Sequence, residues 1–107
     1  MSTMTSIDMA KIRRENMRWH LLSAVNLSRP VGIYTEALLP IVQSVYGDAT
    51  HQEVRRELDY LEVREMAHIE RDPTDRWFVN LTRTGIDFVE YTIDAQAGVA
   101  RPRITQV

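Results

Sequence analysis

Cysteine is absent from the 107-residue chain, which excludes disulfides, thiolate metal centres and cysteine nucleophiles. Glycine is scarce. Gly32, Gly47, Gly85 and Gly98 stand alone, so no glycine-rich loop is present to cradle a phosphate. Prolines are equally isolated, and no internal repeat or low-complexity tract is present. No apolar run approaches the roughly 18 residues of a membrane span. Met1 to Ser6 lacks the basic and apolar segments of a secretion signal. The expectation is a soluble protein of the cytoplasm. Histidine occurs only at His20, His51 and His68, and no two are three or four residues apart as a helical metal site needs. No serine or threonine sits in a nucleophile-elbow sequence, and Asp72 and Asp75 around Pro73 are ordinary turn chemistry. Neither an enzyme, a cofactor nor a metal is expected.

What the chain does contain is concentrated between Thr50 and Thr84. Thr50 and Glu53 have the spacing of a capping box, in which side chain and backbone amide satisfy each other reciprocally. Val54, Leu58 and Leu61 then form one apolar stripe, leaving His51, Gln52, Arg55, Arg56 and Asp59 on the polar side of a helix over 51–64. Met66 to Glu70 and Trp77 to Leu81 alternate in polarity around Arg71-Asp72-Pro73-Thr74-Asp75-Arg76, which reads as a hairpin. Leu81-Thr82-Arg83-Thr84-Gly85 leads from strand into a further helix, capped by Thr82 and running to about Tyr91. Helix, hairpin and helix in this order is the arrangement of a winged helix-turn-helix. The expected fold is α+β, mainly α: three helices, a two-stranded wing over 67–81, a C-terminal helix and an extended tail. Val54, Leu58, Leu61, Ile69, Val79, Leu81 and Ile86 fall on the inward period of their elements and should be buried.

At the amino end, residues 1–7 read as a disordered tail and residues 8–92 as the domain. Residues 93–107 read as an extended tail outside the core. Nothing breaks a helix from Asp8 to about Asn26. Its apolar residues from Met17 onwards cover more than one face, wider than a helix over one small core needs. Thr35 is the expected cap of a helix from Glu36 to about Val45, but Pro40 inside it removes an amide. A start nearer Leu39, or a kink, is expected. The surplus apolar surface on the first helix and the room around the last suggest a C2 homodimer through Met17, Leu21, Val25, Phe88 and Tyr91.

Thr50 to Leu61, Ile69 and Leu81 to Gly85 together resemble winged-helix regulators of the arsenic-repressor and related types. Leu-Thr-Arg-Thr-Gly-Ile-Asp-Phe-Val (Leu81 to Val89) and Ala-Gly-Val-Ala-Arg-Pro-Arg (Ala97 to Arg103) are similar to segments of small winged-helix proteins of Mu-like phages and prophages. In that family an L-T-x-x-G-x-D-V-A segment precedes a P-G-V-x-R-P tail. The similarity covers most of the chain from Trp19 onwards, and the order and spacing of the motifs carry it. It implies a winged-helix architecture and a phage origin, hence a bacterial host cell, more firmly than an activity. One position departs. Glu65 stands where such proteins usually have glycine after the recognition helix, so a different helix end and a different wing angle are expected.

Charge bears on the partner. Asp8 to Pro30 holds five basic and two acidic residues, net +3, whereas Tyr46 to Leu81 holds five basic and nine acidic, net −4. Phosphate neutralisation supplies most non-specific DNA affinity, and an acidic recognition unit supplies little. Local geometry can still place Gln52, Arg55 and Arg56 outward together, suited to adenine and guanine edges in the major groove. Two functions follow. The first is a transcriptional regulator binding double-stranded DNA through His51, Gln52, Arg55 and Arg56, with Arg71 and Arg76 on the wing. The second is a winged-helix module that binds a protein, its own copy or another phage component. The aromatic residues Trp19, Trp77 and Phe78 either anchor such an interface or close the small core.

Overall fold

The computed structural model describes residues 5–104, and the outer parts of the expected tails, 1–4 and 105–107, lie outside them. The elements are α1 (Ser6–Leu27), β1 (Ile33–Tyr34), α2 (Thr35–Gln43), α3 (His51–Val63), β2 (Ala67–Arg71), β3 (Trp77–Leu81) and α4 (Arg83–Val89). The molecule is an α+β fold of four helices and a three-stranded antiparallel sheet among the described residues. No described helix is long and apolar enough to cross a membrane.

Helix α1 starts at Ser6, two residues before the expected Asp8, because Thr5 supplies a complete capping box. The Asp8 amide donates to the Thr5 hydroxyl, and the Asp8 carboxylate accepts the Thr5 amide at 3.2 Å. The same motif is only half made at α3. Thr50 accepts the Glu53 amide at 3.1 Å, but the Glu53 carboxylate turns to Arg13 of α1, accepting from Nε at 2.8 Å and Nη2 at 2.9 Å. A charged, bidentate partner displaces the neutral backbone amide.

Helix α2 differs from expectation in its start. Tyr34 is the N-cap without a side-chain bond, and Thr35 is the first helical residue, buried with its hydroxyl 2.8 Å from His51 Nε2. The helix runs through Pro40. Both Pro40 and Glu36, four residues earlier, are exposed, so the carbonyl that Pro40 cannot bond lies where water reaches. The sheet also exceeds the expected two strands. Its order is β1-β3-β2, with Ile33 opposite Val79 and Tyr34 opposite Phe78 on one side of β3, and Ile69 opposite Val79 on the other. Two residues are too short a run to show any alternation.

Helix α1 is the centre of the core. Met17, Leu21, Leu22, Ala24 and Val25 are buried because α2, α3, β3 and α4 all pack on it. That is why its apolar residues occupy more than one face. Val54, Leu58, Leu61, Ile69 and Val79 are buried as expected, while Leu81 and Ile86 are half-buried. The segment after α4 runs through turns and bends and does not stay outside the core. Val99 is buried, the Ala100 amide donates to the Glu15 carbonyl at 3.1 Å, and Arg101 Nη1 donates to the carbonyls of Phe88 and Ile93. Gly98 makes this docking possible at a positive φ of 97°, where an added Cβ would meet the Tyr60 hydroxyl.

Met17, Leu21, Val25 and Phe88 therefore are not surface residues awaiting a second copy. All four belong to the core of the single chain. Tyr91 is half-buried, its ring edge-to-face with Trp19 at 6.2 Å and its hydroxyl donating to the Pro102 carbonyl at 2.6 Å. The docked tail and α4 cover what the sequence left as spare apolar surface.

Candidate nucleic-acid interface

Helix α3 divides its surroundings cleanly. At about 100° per residue, Val54, Leu58 and Leu61 point to the core. Arg55, Asp59 and Glu62 point to the β2–β3 hairpin. Glu53, Glu57, Tyr60 and Arg64 lie roughly opposite, towards α1. Gln52, Arg56 and Val63 remain for solvent, and all three are exposed.

The hairpin is clamped to α3 through Trp77. Its indole contacts two guanidinium groups, Arg55 at 4.5 Å and Arg71 at 4.3 Å from the ring centroid. Each arginine is held in turn by carboxylates. Arg55 Nη1 donates to Asp75 Oδ2 at 2.8 Å, and Arg71 Nη2 donates to Asp59 Oδ1 at 2.9 Å and Glu62 Oε1 at 3.1 Å. Trp77 Nε1 donates to the other oxygen of Asp75. Trp77 is buried, and so closes the core edge beneath the clamp. The Arg71 guanidinium holds the Glu62 carboxyl below the usual carboxylate range, and Arg55 does the same for Asp75.

The tip is equally ordered. Asp72 accepts the amides of Thr74 and Arg76 at 2.9 Å each, which lowers its own carboxyl, and Asp75 takes the left-handed conformation at φ 62°. Arg76 is exposed but has neighbours within the chain. It stacks on Tyr34 at 3.9 Å, with Glu36 Oε2 3.4 Å from Nη2.

The residues expected at DNA thus separate into two groups. Arg55, Arg71 and Arg76 brace the hairpin with their charges compensated, and His51 is tied to Thr35. Gln52 forms no side-chain hydrogen bond among the described residues. Arg56 is well exposed and reaches Glu57 Oε2 at 3.2 Å, with Glu53 at 4.0 Å. His51, Gln52, Arg55, Arg56, Asp59 and Trp77 line one open cleft of about 570 Å³. The grouping was legible in the sequence; the bracing was not, because Asp75, Glu36 and Glu62 are remote from their partners along the chain.

Glu65 is the other departure from expectation. It adopts φ 62° and ends α3 as glycine does. The Met66 amide donates to the Leu61 carbonyl and the Glu65 amide to that of Glu62, both at 2.9 Å. This is the Schellman pattern. The helix end is therefore the ordinary one, held at the expense of backbone strain.

Compared with protein-family models and with curated protein sequences, the chain matches none.

One further pair lies behind α3 and was not anticipated. Glu57 is buried, its carboxylate accepting from Arg18 Nε at 2.9 Å, while Arg18 Nη1 donates to the Gly98 carbonyl at 2.8 Å and the guanidinium lies over Tyr60 at 3.5 Å. This pair joins α1, α3 and the tail. No spacing signals it: Glu53 and Glu57 are four residues apart on α3, whereas their partners Arg13 and Arg18 are five apart on α1.

Proposed function

We propose that the chain is a phage- or prophage-encoded winged helix-turn-helix protein that binds duplex DNA as a transcriptional regulator inside the bacterial host cell. The observation that supports this most is the solvent face of α3. It offers Gln52 and Arg56 beside a hairpin that Trp77 and four carboxylates hold rigid. A helix with its amino-terminal polar residues outward suits the major groove. The sheet order, with β1 completing the hairpin's inner edge, fits the same architecture.

In this reading Gln52 and Arg56 read base edges, an amide for adenine and a guanidinium for guanine. Arg55, Arg71 and Arg76 act by positioning the wing. A homodimer remains part of the proposal, since two-fold symmetric operators present half-sites about one DNA turn apart. Its contact uses surface other than the buried Met17, Leu21, Val25 and Phe88.

The test is binding of the purified protein to duplexes from its own genomic neighbourhood across a salt series. Arg56→Ala should weaken the specific complex by roughly 1–3 kcal/mol. Gln52→Ala should alter sequence preference more than overall affinity, because an amide carries no charge.

A second reading is favoured by one specific observation: Arg55, Arg56, Arg71 and Arg76 all have carboxylate neighbours, and Tyr46 to Leu81 is net acidic. That charge pattern suits a protein partner better than phosphate. If no duplex shifts at low salt, and a co-purifying protein is lost on Arg56→Ala, the interaction module replaces the regulator.

A further inference from the structure

The cations on the solvent and hairpin faces of α3 are compensated, so a DNA-binding reading must draw phosphate affinity from elsewhere. Helix α1 carries Lys11, Arg14 and Arg18 at i, i+3 and i+7, which puts all three on one face. That face lines a groove of about 380 Å³ together with Glu15, Tyr60 and Arg64. Among the described residues, Lys11, Arg14 and Arg64 make no ion pair with a carboxylate, in contrast to Arg55, Arg56, Arg71 and Arg76. Arg64 is directed by neutral partners, the Tyr60 hydroxyl and Gln96 Oε1. Arg18 is fixed by Glu57 and the Gly98 carbonyl. Lys11 and Arg14 form no side-chain hydrogen bonds among the described residues. Glu15 contributes one opposing charge.

Position agrees with charge. Tyr60 and Arg64 lie on the side of α3 roughly opposite to Arg55, Asp59 and Glu62, which face the hairpin. A helix seated in a major groove by its solvent face has a phosphate backbone along each flank. One flank here is the hairpin, whose cations are committed. The other is this groove.

We infer that the groove between α1 and the carboxy-terminal end of α3 is a phosphate-binding site formed by Lys11, Arg14 and Arg64, occupied by the DNA backbone when α3 engages a duplex. The inference rests on the DNA-binding reading for the source of the phosphate, though not for the chemistry of the site.

The experiment compares Lys11→Gln/Arg14→Gln with Gln52→Ala/Arg56→Ala and the unaltered protein, on a random-sequence duplex and on duplexes from the chain's genomic neighbourhood. Thermal melting checks that each variant is folded. The groove variant should lose affinity for all sequences alike, and its slope of log affinity against log salt should fall by about 2, one for each lost phosphate contact. The α3 variant should lose sequence preference while keeping most of its salt dependence. Undiminished binding and salt slope in a folded groove variant overturn the inference and leave the DNA reading standing. If the unaltered protein binds no duplex, the DNA reading fails, and inorganic pyrophosphate becomes the probe. Stabilisation of the unaltered protein by pyrophosphate over chloride at matched ionic strength, abolished in the groove variant, supports the site with a free phosphate source. No stabilisation overturns it.

Discussion

Glu65 holds a left-handed backbone conformation that its Cβ disfavours, and its side chain makes no hydrogen bond among the described residues to offset that strain. The fold maintains it because two amides close the end of α3 and because the Thr82 hydroxyl donates to the Glu65 carbonyl, tying α3 to the cap of α4. Replacing it with glycine removes the strain without disturbing any of these bonds. Glu65→Gly should therefore stabilise the protein by about 1 kcal/mol, read as a higher denaturant midpoint at unchanged slope. An unaltered or lower midpoint would mean that the conformation costs the chain nothing. Gly85 is the opposite case. An added Cβ would run into the Met66 carbonyl oxygen, which already accepts the Thr82 amide at 3.1 Å. Glycine is required there by close backbone approach, and the Leu-Thr-Arg-Thr-Gly segment owes its last residue to that contact.

At the scale of the element, α3 begins with a single capping bond rather than a reciprocal box, since Glu53 serves Arg13 instead. Thr50→Ala removes the bond to the Glu53 amide and should cost about 1 kcal/mol, measured by chemical denaturation. A neutral substitution would show that the Arg13–Glu53 pair, not the cap, fixes the start of the helix. The hairpin depends on charge in a different way. Glu62 and Asp75 carry carboxyls depressed by Arg71 and Arg55. A group with a lowered folded pKa stabilises above its unfolded value and loses that contribution as pH falls through the folded one. The clamp on Trp77 should thus hold from neutrality down to roughly pH 4 and loosen below it. Indole fluorescence of a Trp19→Phe variant, which leaves Trp77 as the reporter, should change over that acid range while far-ultraviolet helicity persists. A change centred near pH 6 would point to histidine and not to this clamp.

The whole molecule decides the standing of the residues first read as an interface. Phe88 lies in the core against Trp19, with ring centroids 6.2 Å apart, and the Arg101 guanidinium lies 4.8 Å from its ring centroid. Truncation leaves a cavity. Phe88→Ala should destabilise by about 3–5 kcal/mol, and the loss should not depend on protein concentration. Concentration-dependent stability, with a folded monomer in the variant, would return Phe88 to an interface. The buried Arg18–Glu57 pair works at the same scale, joining α1, α3 and the tail in one contact. Breaking one partner strands a charge in low dielectric and is costly, whereas the pair itself contributes little net stability over an apolar replacement. Its consequence here is placement: it sets the tail at Gly98, alongside the basic groove.

Several features were settled locally and could be read from the residues alone. The α3 stripe of Val54, Leu58 and Leu61, the caps at Thr50 and Thr82, and the alternation of Ile69 and Val79 about Pro73 all depend on neighbours within a turn or a strand, and periodicity expresses such neighbours directly. The outward grouping of Gln52 and Arg56 follows from the same period. Tertiary structure alone decided the rest. β1 is two residues long and exists because β3 offers it an edge. The apolar surplus of α1 faced inward because Val99 and Phe88 arrive from far along the chain to cover it. The arginines expected at phosphate were claimed by Asp75, Glu62 and Glu36, whose approach no spacing encodes. Charge acts through space and not along sequence, so the chain could state how many cations it has, but only the fold determined which of them remain free.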